Sequence, residues 1–167
     1  MVAIPFIITR VYGGDAILLA NMTVIFYFGT LIATFGLLRF MPLLRPGRLY
    51  LIMQLSRIPA LVLIWAEPPI WLIWVAVAYW GFNMGMTTTM SRLMVQEFSS
   101  AEYRARVMSI FTLGLMSAVP VGSLLLGFII GQWGPLDALI PGMIASTLIF
   151  GFGFFKTGIW KYHSPMR

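Results

Sequence analysis

The chain has 167 residues, of which 60% are hydrophobic, 15% aromatic and only 10% charged, with a mean hydropathy of +0.92. That apolar share exceeds the roughly 45–50% of soluble domains, which excludes a soluble globular protein and leaves one domain spent largely on crossing lipid. A formal charge of +6 with no separate basic patch favours a membrane surface over nucleic acid, and the lack of Cys removes disulfides and thiolate metal sites.

In chain order, the first ten residues, MVAIPFIITR, are too short to span. A helix from Val2 to Ile8 would reach about 10 Å, a third of a hydrocarbon core of about 30 Å. The stretch reads either as the outer end of a helix that begins earlier or as an N-terminus lying at the interface. No basic residues precede it, so no cleavable signal peptide is expected. Five longer apolar runs follow: Ile17 to Leu38, Leu49 to Ala66, Ile70 to Val95, Val107 to Gly131 and Leu139 to Trp160. Each approaches the length of about 20 residues that a spanning helix needs, and a helix alone satisfies its own backbone in lipid. The expected fold is all-α: a polytopic membrane helix bundle of five full spans plus the truncated end of a sixth. Short connections, MPLLRPGR, EPP, SSAEYRAR and QWGPLDA, join the runs. Pro68 and Pro69 stand where a helix can start without an N–H.

Charge orients the spans. Arg39, Arg45, Arg48, Arg92, Arg104, Arg106, Lys156, Lys161 and Arg167 fall on one side of the alternation, and Arg10, Asp15, Glu67 and Asp137 on the other. The positive-inside rule makes the first side cytoplasmic and predicts a multi-pass protein of the cell membrane with its C-terminus inside. The stretch EFSSAEYRARVMS, from Glu97 to Ser109, is then a cytoplasmic connection. In it Glu97 and Glu102 are candidate partners for Arg104 and Arg106, which point to different sides of a helix; the other reading is that both arginines are topology anchors.

Within the third run Tyr79, Asn83 and Thr87 recur every four residues and share a helix face. They either line a cavity or hydrogen-bond a neighbouring helix, while Gly81 and Gly85 form a GxxxG packing face. Met84, Met86 and Met90 are either an adaptable wall or simple packing. In the fourth run Pro120 is a candidate kink, and Gly122, Gly127 and Gly131 are candidate hinge or close-packing positions. In the first, Asn21, Tyr27 and Thr30 are weaker cavity candidates, with Gly29, Ala33 and Gly36 read as packing. Arg57 lies about eight residues, or about 12 Å, into the second run and shares a face with Tyr50 and Gln54; it reads either as a functional group in a polar seam that runs to the cytoplasm or, the favoured reading, as a structural arginine that snorkels out. No acid lies deep in a run, and His163 is read as a solvated tail residue. With one His, no metal site is expected, and nothing calls for a cofactor.

These pieces resemble the C-terminal half of a major facilitator superfamily transporter of the bacterial exporter kind. QEFSSAEYRARVMS, from Gln96 to Ser109, resembles the loop between the family's tenth and eleventh helices, and PVGSLLLG, from Pro120 to Gly127, resembles the eleventh helix. IPFIITRVYGGDA, from Ile4 to Ala16, resembles the end of the seventh helix and the loop to the eighth. LRPGR, from Leu44 to Arg48, is a degenerate copy of the family's loop signature, with Leu44 where that signature has Asp. The resemblance implies a secondary active transporter, an exporter of small molecules by alternating access, completed by an N-terminal six-helix half. It implies substrate contacts at Tyr79, Asn83, Thr87 and Ser117, and gate or loop roles for Arg45, Gly47, Arg48, Glu97, Glu102, Arg104 and Arg106. The alternative is a small five-helix membrane scaffold or assembly subunit. An enzyme is disfavoured, because no acid pair, His cluster or Ser with a base converges at one depth.

Overall fold

A computed structural model describes residues 2–40, 43–162 and 164, so His163 and Arg167 lie outside the described residues. The described residues form only helices: α1 (Ala3–Arg10), α2 (Ala16–Arg39), α3 (Pro46–Trp65), α4 (Ile70–Phe98), α5 (Arg104–Gln132) and α6 (Ile140–Phe155), with single 3₁₀ turns at Asp137–Leu139 and Ile159–Lys161. Five stretches are long and apolar enough to cross a membrane, namely α2 to α5 and the run Asp137–Phe155 that contains α6. Their boundaries follow local chemistry. Asp15 caps α2 by accepting the Leu18 N–H at 2.9 Å, and Pro46 opens α3 with its backbone angle already set.

Four boundaries differ clearly from those read in the sequence. α3 starts at Pro46, so Gly47 and Arg48 belong to its first turn instead of to a loop. α4 and α5 run on to Phe98 and from Arg104, which shrinks the connection between them to Ser99–Tyr103 because polar residues continue a helix once it leaves the apolar zone. The final helix stops at Phe155, short of Trp160, because Gly158 adopts a left-handed conformation (φ 67°) that turns the chain into the last 3₁₀ turn.

α4 is the central helix, with α2 on one side and α3 on the other. The α2–α4 seam is built on glycine. A Cβ on Gly81 would fall on the Phe26 carbonyl and one on Gly29 on the Ala78 carbonyl, so the two backbones touch there. Thr30 Oγ1 bridges the seam, donating to the Gly81 carbonyl at 2.9 Å. Gly85 and Ala33 pack in the same seam, as expected, whereas Gly36 meets only open space.

Two apolar clusters hold the end of the bundle opposite the arginines. One gathers Ala3 and Ile7 with Leu61, Ile64, Ala76, Ile130 and Leu139; the other gathers Ile4 and Ile8 with Met22, Phe26, Ile73 and Val77. α1 therefore inserts between them like a wedge, with a different pair of side chains for each cluster. Ala3, Ile4, Ile7 and Ile8 are all buried in this way. Polar ties finish that end: Tyr12 Oη donates to the Pro68 carbonyl at 2.7 Å, and Trp65 Nε1 donates to Asp137 Oδ1 at 3.4 Å. Burial, then the negative charge of Glu67, holds the Tyr12 phenol above its ordinary range.

α5 is different. Of its 29 residues only Ile130 is buried. The close-packing role expected for Gly127 and Gly131 is not seen, since a Cβ on either, or on Gly114 or Gly122, would meet nothing within 4 Å. Pro120 is exposed in mid-helix.

Candidate functional site

Two arrangements carry polar chemistry within the spans. The first crosses the α3–α4 interface. Asn83, fully buried, donates from Nδ2 to the Met53 carbonyl at 2.7 Å and to Ser56 Oγ at 2.8 Å, while its Oδ1 accepts from Arg57 Nε at 3.4 Å. Arg57 Nη2 donates to Thr87 Oγ1 at 3.2 Å, and Thr87 donates in turn to the Asn83 carbonyl at 2.9 Å. One turn away on α3, Gln54 Nε2 donates to Tyr50 Oη at 2.9 Å. Tyr50, Gln54 and Arg57 lie on one side of α3, and the Arg57 guanidinium reaches across to α4. Neutral oxygens on α4 accept its hydrogen bonds there.

For Asn83 and Thr87 the geometry is that of a helix–helix tie, since the amide of Asn83 has all three of its near groups engaged. Tyr79 parts from them. Residues four apart drift about 40° around a helix of 3.6 residues per turn, so two steps carry Tyr79 off the α3 face, and it is 39% exposed.

The second arrangement is a groove of about 680 Å³ between α2, α4 and α5. Its walls are mostly apolar, with Phe26, Tyr27, Trp80, Met84, Val119 and Leu126 facing one another. Thr30, Thr34, Thr88, Thr89 and Ser123 supply hydroxyls, Arg92 lines it toward the arginine-rich end, and Val2 closes it at the start of α1. Thr34 and Ser123 give their protons to backbone carbonyls of their own helices and Thr30 gives its proton to the Gly81 carbonyl across the seam, so they offer only lone pairs to a guest. Of the residues singled out in the sequence, Tyr27, Thr30, Met84, Gly85 and Gly122 line this groove, whereas Asn21, Tyr79, Asn83, Thr87 and Ser117 do not. Thr88, Thr89 and Arg92 went unassigned to any cavity. The available signal was TTT itself, because three successive residues point about 100° apart and cannot all face α3.

The arginine-rich end has its own geometry. Glu97 accepts hydrogen bonds from the hydroxyls of Tyr162, at 2.9 Å, and Ser164. The Phe98 and Tyr162 rings meet at 4.6 Å, and the Ser164 N–H donates to the Leu44 carbonyl at 3.2 Å. Gly47 is buried against the Ile159 carbonyl, where a side chain would not fit, and Arg48 lies 4.8 Å over the Trp160 ring. The C-terminal segment thus clasps the start of α3 and the end of α4. The expected partnership of Glu97 with Arg104 or Arg106 is absent: tail hydroxyls occupy the carboxylate, and Arg106 sits 6.0 Å over the Tyr103 ring. Arg45, Glu102, Arg104 and Arg106 are exposed.

Compared with known proteins, the chain matches no family model, no curated protein and no solved structure.

Proposed function

We propose that the chain works as the C-terminal half of a major-facilitator-type secondary transporter that moves small molecules, outward, across the cell membrane by alternating access. The observation that carries this reading is the incompleteness around α5. A 29-residue apolar helix with one buried residue borders a groove of about 680 Å³ whose opposite wall is the glycine-sealed α2–α4 pair. In this reading the inward continuation of the α1 helix fills the groove at Val2, and a six-helix N-terminal half covers α5, so that cargo binds between two halves that rock against each other. The arginine-rich end is cytoplasmic, in keeping with the bias of basic residues.

The test is transport. Expressed with its whole reading frame and reconstituted in vesicles, the protein is expected to show saturable, ion-gradient-driven movement of cargo from a panel of lipophilic and polar small molecules, and the 167-residue chain alone to show none. Saturable transport by the purified chain overturns the half-transporter reading. Reporter fusions after Arg48 and Arg106 are expected to read cytoplasm, and fusions after Glu67 and Asp137 the opposite side.

A second reading, a scaffold that pairs with another copy of itself, is favoured by one feature. Gly114, Ala118 and Gly122 recur every four residues on α5, the small-residue spacing of tightly paired membrane helices, and a Cβ on either glycine would meet nothing within 4 Å. A concentration-dependent dimer broken by Gly114→Leu would support it.

A further inference from the structure

Arg57 is a cation inside a spanning helix with no carboxylate beside it. Its hydrogen bonds end on neutral oxygens, Asn83 Oδ1 and Thr87 Oγ1. All five acids of the chain, Asp15, Glu67, Glu97, Glu102 and Asp137, lie at or beyond helix ends. Among the described residues none pairs with Arg57. A charge held away from water attracts an opposite charge strongly, since neutral dipoles offset only part of the lost hydration.

A cavity of about 120 Å³ adjoins the Arg57 side chain. Apart from Arg57 it is walled by apolar groups, Leu61, Leu126, Leu139 and Gly142 among them, and by Trp80. The indole N–H of Trp80 donates to no described residue. Every polar side chain lining the cavity is therefore a donor, one of them charged, and no side-chain acceptor competes. A water molecule claims about 30 Å³ of liquid volume, so the space suits a guest of a few heavy atoms that accepts hydrogen bonds and gives none. Apolar walls disfavour a strongly hydrated divalent ion, and one guanidinium matches one negative charge.

We propose that Arg57 and this cavity form a binding site for a small monovalent anion, either a free halide or the carboxylate end of an organic acid. The site does not depend on the transport reading. It lies between α1, α3, α4, α5 and the start of α6, shares Trp80 and Leu126 with the groove, and would bind its anion in a scaffold as well as in a transporter.

The full chain in lipid nanodiscs is melted in sodium chloride, bromide, acetate or hexanoate, each against sodium sulfate at equal ionic strength. A saturable rise in Tm with the monovalent anions is expected. Response to the halides alone assigns a free ion, and response to the carboxylates assigns the end of an organic acid. Arg57→Gln is expected to weaken the apparent affinity about tenfold or more, the loss of a charge-assisted contact, and Arg57→Lys to keep part of it. Because Arg57→Gln also cuts the tie to α4, Gly142→Val serves as the second variant. It fills the cavity without touching the guanidinium, starting from a Cβ that would sit 3.4 Å from Leu61 Cδ1, and it too is expected to abolish the response. Arg39→Gln, at an exposed arginine at the end of α2 that lines neither the cavity nor the groove, should leave the response intact. A rise no larger than that in sulfate, or one undiminished in Gly142→Val, overturns the proposal.

Discussion

α4 and α5 are each 29 residues long, and each contains glycines and methionines. Yet burial covers 44% of the most apolar stretch of α4 and 6% of that of α5. The more apolar helix is the less buried one. In water the order would be reversed, but lipid tails solvate leucine as well as a protein core does. What selects a helix for the centre of a membrane bundle is the ability to do what lipid cannot: let backbones touch at glycine and satisfy polar side chains such as Asn83.

The sharpest way to break this contrast is one substitution made in both helices. Gly81→Ala puts a methyl group on the Phe26 carbonyl and should cost about 3 kcal/mol through overpacking. Gly114→Ala meets open space and should stabilise the isolated chain by up to about 1 kcal/mol through helix propensity. Denaturant titration in detergent of the two variants checks both signs, and equal effects would dissolve the distinction between the helices.

A smaller effect is expected at the polar tie. Asn83→Leu keeps the volume but strands the Arg57, Ser56 and Met53 partners, at a cost of about 2 kcal/mol. In a double-mutant cycle with Arg57→Leu the coupling should be about 1 kcal/mol, the scale of interhelical hydrogen bonds in membranes. Ser123→Ala on α5, whose hydroxyl is spent on its own helix at Val119, should be close to neutral.

Smaller again is the C-terminal clasp. Burial, then the hydrogen bond to Glu97 and its charge, raises the Tyr162 phenol above 10.0, its ordinary value. The neutral phenol is thus the docked form. Its contribution is complete below pH 10.0 and is lost as pH rises through the raised value. Tryptic cleavage at Lys161 should accelerate in that alkaline window, and Tyr162→Phe should cleave faster at neutral pH with no such pH dependence.

The least effect belongs to the start of α5. With Arg104 and Arg106 exposed and Glu97 engaged elsewhere, Arg104→Lys and Arg106→Lys should leave insertion, stability and, in the whole protein, transport unchanged within about 0.5 kcal/mol. Lost transport at normal abundance would show that these arginines pair in another conformation.

Much of the fold could be read from the residues. Runs such as Ile17 to Leu38 differ from their flanks so strongly that hydropathy places the helix to within a residue of Ala16–Arg39. Gly81 and Gly85 announce a close seam by their spacing. Other features depend on helix rotation, which a sequence does not state: Tyr79 and Thr87 look like one face until about 40° of drift per step separates them. The partners of Glu97 were hidden because they come from a tail more than 60 positions away, and proximity in sequence favoured Glu102 and the arginines instead. The bareness of α5 has no sequence signal, because a surface left for lipid and one left for a partner are written in the same letters.

The glycine seam also sets what can move. Where side chains interdigitate, one helix can slide by exchanging rotamers, but Gly29 and Gly81 present bare Cα positions to the Ala78 and Phe26 carbonyls of the facing helix and have no rotamers to exchange. A slip of one turn, about 5.4 Å along the axis, would bring the bulk of same-face residues such as Phe26 or Val77 to the contact in place of a bare Cα. α2 and α4 are thus geared together as one stiff strut, and large motion in the bundle falls to the joint that has no teeth, the open flank along α5.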